Sequence, residues 1–338
     1  MPATDHDAPT RAERPPADLA ADLSGVADRL RDWEGPIVVL AHVDPDGDAL
    51  GSVLTMARAL RRLDKRVLAP LDPPRFLAFL AEPGELDEPL TDLPVGSLVL
   101  LLDTGPARAT GAPLQGASLL VNLDHHPGNE GPADALVVRP ELAATAVLVK
   151  HLVDALGLAW DAHLATPCLC GILTDTGTFR FANTDRHTLA VAGELIDAGV
   201  DYGELTDRLQ WRHPAYFARL AAVLATMRTF EGGALVTIRQ TLALRTALAG
   251  DDDSDDFVGV VRYAEGARIA AYLRETDEGV KLSLRSRAGV SARRVAEALG
   301  GGGHEVAAGA RLAGVDLAEA EARLRRAVAS ELERAGPS

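Results

Sequence analysis

The chain has 338 residues, long enough for two domains with separate cores, and a composition that is 47% hydrophobic and 4% aromatic, that of an ordinary globular protein. Its formal charge of −15 would repel a polyanion from most of the surface, which argues against a long duplex as partner and confines nucleic-acid contact to a local basic patch or to metal ions. Cys168 and Cys170, two apart in an apolar segment, suit buried free thiols in a reducing compartment; with no signal-peptide pattern and no apolar run of membrane-helix length, the expected location is the cytoplasm, with no membrane partner.

Residues 1–22, rich in Pro, Ala and charge, are expected to be a disordered leader, with structure starting near Leu23. Residues 36–41 read as a buried strand, 48–62 as an amphipathic helix, and 97–102 and 118–123 as two further buried strands. Helices are expected over 141–156, 161–174 and 184–198, the last closed by Gly199, and Asp201 caps a short segment after it. This alternation predicts an α/β fold whose larger domain, residues 23–205, is a mostly parallel sheet flanked by helices. Residues 206–228 read as a connector, helical from Pro214. Beyond it, 234–238, 257–262, 267–273 and 280–285 read as strands and 291–299 and 316–333 as helices, a smaller α/β module over 229–335. The acidic run Asp251–Asp256 lacks the central Gly and terminal Glu of a calcium loop and reads as a solvated turn.

The chemistry lies in four short segments: His42-Val-Asp-Pro-Asp46-Gly-Asp48, Leu102-Asp103-Thr104, Asp124-His125-His126 and Thr174-Asp175-Thr176. In open parallel sheets ligands bind beyond the carboxyl ends of strands, and His42, Asp103 and Asp124 each fall within a few residues of such an end. Asp46 and Asp48 sit on a tight Pro45/Gly47 loop, and Asp103 has an oxygen for each of two ions. Singly, Asp48 is explained as a helix N-cap, Asp46 as a turn residue and Asp175 as a capping acid. Jointly they are not, because clustered buried carboxylates repel one another and need counter-cations to stay ionised. Asp124-His125-His126 adds two imidazoles, one to ligate a metal and one to contact phosphate. His151 and His163, inside helical patterns without acidic companions at matching spacing, are taken as structural. A metal-dependent phosphoesterase is the leading reading.

The ordered set His42, Asp46, Asp48, Asp103, Asp124-His125-His126 and Asp175 resembles the four motifs of the DHH phosphoesterase family, named for that triplet. Gly301-Gly302-Gly303-His304 with Ala307-Ala308-Gly309 resembles the family's smaller DHHA1 domain, so the likeness runs from about residue 25 to 335. It is greatest to the stand-alone bacterial oligoribonucleases, or nanoRNases, which also remove the 3′-phosphate from 3′-phosphoadenosine 5′-phosphate. The resemblance implies two divalent ions, usually Mn²⁺, with Mg²⁺ or Co²⁺ also compatible with mixed carboxylate and imidazole donors. It implies that one ion is held by His42, Asp46 and Asp103, and the other by Asp48, Asp103, His125 and Asp175. Asp124 would orient a histidine, and His126 would sit near the scissile phosphate. In the second domain Arg285, Ser286, Gly301, Gly302, Gly303 and His304 would hold a terminal phosphate or nucleotide, with Arg287, Arg262 and Arg268 weaker candidates. Short single-stranded RNA or DNA of about two to five nucleotides, cut to mononucleotides, is the implied substrate, and a homodimer the implied assembly. Competing readings are a single-strand DNA exonuclease, a cyclic or linear dinucleotide phosphodiesterase, a pyrophosphate or polyphosphate hydrolase, and a catalytically silent nucleotide-binding protein.

Overall fold

The computed structural model describes residues 15–248, 257–287 and 289–336, which form two compact units with their boundary between Trp211 and Arg212. The acidic run Asp251–Asp256 lies outside the described residues.

The first unit comprises α1 (Ala17–Asp32), β1 (Ile37–Leu40), α2 (Gly47–Arg62), β2 (Val67–Leu68), β3 (Leu98–Leu102), β4 (Leu119–Asp124), β5 (Ala135–Val138), α3 (Thr145–Ala155), α4 (Ala162–Asp175), α5 (Arg186–Asp197) and α6 (Tyr202–Gln210). Its sheet has the order β2-β1-β3-β4-β5, every pair parallel. β1 and β3 are buried along their whole length, the property that makes them unbroken apolar runs in sequence. Ile37, Val39, Leu98 and Leu100 face the helical core. Val38, Leu40, Val99 and Leu101 form a smaller cluster on the other face, packed by Leu90, Leu93, Ala112 and Leu114 from connecting segments.

Order begins earlier than the sequence suggests. α1 starts at Ala17 and packs on α3, because Leu19, Leu23, Val26, Ala27 and Leu30 line one helical face and are buried. The proline-rich stretch therefore ends as the N-terminus of a helix, where Pro16 costs nothing. α3 starts at Thr145 rather than Glu141, since Ala144 is still extended.

The second unit comprises α7 (Pro214–Leu224), β6 (Arg228–Phe230), β7 (Leu235–Gln240), α8 (Leu242–Ala247), α9 (Phe257–Val261), β8 (Ile269–Thr276), β9 (Gly279–Ser286), α10 (Ala292–Glu297), β10 (Gly302–Gly303), β11 (Ala307–Ala313) and α11 (Leu317–Ala335). Its sheet runs β10-β11-β9-β8-β7-β6, antiparallel except between β7 and β8. The strand expected at 257–262 is a helix: Phe257, Val258 and Val261 are buried and Val260 is exposed, a helical rather than alternating pattern. Packing of that face onto β7 and β8 overrides the β preference of its valines. The helix expected from Pro214 ends at Leu224, and Arg228 already belongs to β6.

Candidate metal centre

Three strand ends and two helix ends deliver the acids and imidazoles. His42 follows β1 and is pinned by a bridge to Ala109, with Val43 N–H donating to the Arg108 carbonyl. Asp44 then turns with φ +56°, and Asp46 enters α2 as its N-cap, its Oδ1 accepting the N–H groups of Asp48 (3.0 Å) and Ala49 (3.1 Å). Asp46, not Asp48, is thus the cap of α2. Asp103 leaves β3 with φ +59°, a left-handed conformation that aspartate tolerates better than most residues. Asp124 ends β4, and Asp175 is the last residue of α4.

These residues form two groups that share Asp103. His42 Nε2 lies 3.5 Å from Asp103 Oδ2 and 3.8 Å from Asp46 Oδ1. His125 Nε2 lies 3.1 Å from Asp175 Oδ2, 3.6 Å from Asp103 Oδ1 and 3.8 Å from Asp48 Oδ2. One ligand atom from each of His42, Asp46 and Asp103 lies within 4.8 Å of the others, as does one from each of Asp48, His125 and Asp175, and Asp103 forms a third such set with His125 and His126. His42 Nδ1 contacts the Val43 carbonyl at 2.9 Å and His125 Nδ1 the Leu142 carbonyl at 3.2 Å. A carbonyl can only accept, so each Nδ1 carries a proton and Nε2 is the ring atom turned into the group, the one that would give its lone pair to a cation.

The test of whether these donors suit a divalent ion is His125 Nε2, which is buried and makes no hydrogen bond although Asp175 is 3.1 Å away. Lone pairs aimed at a common point rather than at each other are what a cation needs. The electrostatics agree. Burial, followed by mutual repulsion, pushes Asp48 and Asp103 up to about 7 and Asp175 up to about 6. Burial disfavours charge on His42 and His125 too, yet the acids around them outweigh it and raise both to about 10. Hard carboxylates mixed with imidazole suit a divalent ion, whose charge would offset that mutual repulsion.

His126 borders the centre, its Nδ1 3.5 Å from Asp103 Oδ1, but is tied chiefly to Asp124. Asp124 Oδ1 accepts from the His126 backbone N–H (3.1 Å) and contacts its Nδ1 at 2.8 Å, while Asp124 Oδ2 accepts from Asn129 Nδ2 at 2.7 Å. The hydrogen bond to Asp124 raises the His126 pKa, and the same contacts hold Asp124 low against its burial. Asp124 therefore spends both oxygens on orientation.

Local packing explains why the two helices carrying Asp48 and Asp175 come so close. A Cβ on Gly51 would lie 2.2 Å from the Pro167 carbonyl oxygen, one on Gly47 would lie 2.4 Å from Thr174 Cγ2, and one on Gly171 would lie 2.9 Å from Asp48 Oδ1. The start of α3 meets the same point. Asp48 Oδ2 accepts the Thr145 N–H at 2.6 Å and Asp48 Oδ1 the Ala146 N–H at 2.8 Å, so Asp48 caps α3 from another helix. Thr145, Asn129 and Asn183, whose Nδ2 ties the Asp175 and Ala143 carbonyls together, escaped the sequence reading. Only Asn129 carried a signal, as an amide in the turn after the triplet.

Other expected residues fall differently. In the second unit Arg285 and Ser286 point to opposite faces of β9. Ser286 is buried, donating to the Glu305 carbonyl (3.2 Å) and accepting from Ala292 N–H (3.1 Å), so its hydroxyl serves the fold there. Gly302 and Gly303 form the edge strand β10, and a Cβ on Gly301 would lie 2.1 Å from the Gly309 carbonyl oxygen, which accounts for part of the glycine run by packing alone. His304 N–H donates to the Ala307 carbonyl at 2.7 Å, closing the turn into β11. In the first unit His151 and His163 do acquire companions from other segments: His151 Nε2 lies 3.0 Å from His187 Nε2, and His163 lies 3.5 Å from Glu82 and 3.6 Å from Glu85. Burial pushes His151 down to about 4; Glu82, Glu85 and His163 have the spacing of a metal-holding group, but Glu85 is already engaged by both arms of Arg58.

The family described as "DHH family, N-terminal domain" matches residues 36–172, and the "DHHA1 domain" matches residues 244–334. A Thermus thermophilus protein named bifunctional oligoribonuclease and PAP phosphatase NrnA is 50% identical over 92% of this chain and 94% of its own length. A Bacillus subtilis protein of the same name is 27% identical over 84% of this chain and 91% of its own. The crystal structure of an exopolyphosphatase-related protein from Bacteroides fragilis superposes with a TM-score of 0.80 at 23% identity, over 92% of this chain and 96% of that one, a likeness of fold.

Proposed function

This chain belongs to the DHH family, and on that premise we propose that it hydrolyses short single-stranded oligonucleotides to nucleoside monophosphates and removes the 3′-phosphate from 3′-phosphoadenosine 5′-phosphate. The observation that carries the reading is the convergence of two donor groups on the two oxygens of Asp103. His42, Asp46 and Asp103 would hold one ion and Asp48, Asp103, His125 and Asp175 the other, with Mn²⁺ the preferred metal. When bound, such ions supply Lewis-acid charge at the phosphate and lower the pKa of water.

The chain's own residues do the rest. Asp124, fixed by Asn129, holds the His126 ring by Nδ1 and favours its protonated form, so that Nε2 can donate to a phosphate oxygen. In the second unit Arg285, the β10 edge and His304 would take the terminal phosphate or nucleotide, Arg285 by a charge-assisted hydrogen bond. The protein would act on short RNA in the cytoplasm as a homodimer.

Product analysis on end-labelled 2-mers to 20-mers and a 30-mer, each in Mn²⁺ and in Mg²⁺, tests the reading. A 3-mer should be cut with a kcat/KM at least about tenfold above that of the 30-mer, because each phosphate beyond the contacts meets a negative surface and salt softens that penalty. Mononucleotides should be the products and a free end should be required. Equal kcat/KM for 3-mer and 30-mer, or efficient cutting of a closed circle, would refute it.

A further inference from the structure

We propose that Thr145 is a positioning residue for only one of the two ion positions, the one bounded by Asp48, Asp103, His125 and Asp175. The proposal rests on the metal-centre reading above and adds a residue that none of the four sequence motifs contains.

Thr145 is fully buried at the first position of α3, and it touches two of the four acids of the centre. Its Oγ1 donates to Asp103 Oδ1 at 2.9 Å, and its backbone N–H donates to Asp48 Oδ2 at 2.6 Å. The side on which it acts is set by which oxygen it meets. Asp103 Oδ2 faces His42 at 3.5 Å, whereas Oδ1, the oxygen bonded to Thr145, faces His125 at 3.6 Å. Asp48 belongs to the His125 side as well. The hydroxyl therefore occupies one lone pair of Oδ1 and fixes the direction of the other, while the backbone N–H does the same for Asp48. Thr145 makes no hydrogen bond to His42 or Asp46, so the first position feels it only through the shared Asp103. Outer partners of this kind typically tune metal affinity by about 10- to 100-fold.

Thr145→Val keeps the side chain's shape and the backbone bond to Asp48 and deletes only the hydroxyl; Thr145→Ser keeps the hydroxyl. Mn²⁺ titration of the full chain without substrate, by calorimetry and by the electron paramagnetic resonance of free Mn²⁺, should resolve two affinities in the wild type. In Thr145→Val one of them should weaken by about 10- to 100-fold and the other by less than about threefold, with Thr145→Ser restoring the first to within about threefold of wild type. The Mn²⁺ midpoint for turnover should move with the weakened affinity while kcat at saturating Mn²⁺ moves less. Unchanged affinities in Thr145→Val, or equal weakening of both, would overturn the proposal. Should Thr145→Val melt too low to titrate, Thr145→Ser against Thr145→Ala poses the same hydroxyl question, and equal affinities in that pair would overturn it too. A wild type that binds no pair of ions would instead reject the metal-centre reading itself.

Discussion

The guanidinium of Arg58 makes the hydrogen bond that Pro167 cannot: its Nη1 donates at 2.6 Å to the carbonyl of His163, four residues before a proline that has no N–H to offer it. The same side chain binds both oxygens of Glu85, through Nε at 2.7 Å and Nη2 at 2.6 Å, and the Leu80 carbonyl at 2.8 Å. The carbonyl that the interior proline of α4 leaves over is thereby satisfied in the helix that ends at Asp175.

Arg58→Met should cost about 3–5 kcal/mol at neutral pH, since it strands a largely buried carboxylate and a carbonyl together. Burial opposes ionisation of Glu85, but its hydrogen bonds from Arg58 outweigh that and hold its pKa below the usual value. A depressed carboxyl contributes stability that is complete above its unfolded pKa, about 4.3, and is lost as pH falls through the folded pKa. The gap between wild type and Arg58→Met should therefore narrow as pH drops from 5 toward 2. Urea unfolding at several pH values measures it; a gap independent of pH would contradict the assignment.

Asp103→Asn keeps the size of the side chain and a residue type that accepts positive φ, but removes the charge facing both groups. Turnover should fall by at least roughly 100-fold. Because the carboxylates repel one another, the ion-free variant should melt above the ion-free wild type. Asp175→Ala should instead weaken one ion selectively. Near-normal activity of Asp103→Asn at saturating Mn²⁺, or two unchanged affinities in Asp175→Ala, would contradict these roles.

Arg285→Ala and His304→Ala should impair capture of short nucleotides more than loading of ions, since both lie in the second unit. Kinetics on a trinucleotide and on a simple phosphodiester, together with ion titration, give the comparison. Loss of charge-assisted bonds predicts a trinucleotide kcat/KM lower by about tenfold or more, with a smaller effect on the simple ester. Equal losses on both substrates would remove the second unit from substrate capture.

Asn122 lies fully buried on β4, paired in register with Leu101, and neither its Oδ1 nor its Nδ2 has a hydrogen-bond partner. Asn122→Leu should raise stability by about 1–3 kcal/mol, the cost of leaving such a group unsatisfied. Denaturant unfolding reads it directly. A loss of similar size would mean that an ordered water serves the amide.

Two of the acids were legible because each follows a strong local signal, an apolar run ending in a carboxylate: Leu98–Leu102 then Asp103, and Leu119–Leu123, interrupted only by Asn122, then Asp124. The sequence reading missed β11 because Ala307–Ala313 is mostly small residues with little strand preference of their own, held extended by pairing with β9. Thr145 was invisible for a related reason. Its significance comes from Asp48 and Asp103, 97 and 42 residues away, and no local pattern encodes a bond across such a span. The N-cap reading of Asp48, set aside when the acids are taken together, has a counterpart in space: the helix start it serves is that of α3.

The bare glycines where α2 and α4 cross bear on how the enzyme could be re-engineered. Gly47, Gly51 and Gly171 let two backbones touch, so the distance between Asp48 and Asp175 is dictated by main chain rather than by adaptable rotamers. A larger residue at any of them would act as a wedge, widening the seat for an ion without changing one of its donors. The spacing of the centre is accordingly a dial set in the seam between the two helices, at positions that carry no side chain of their own.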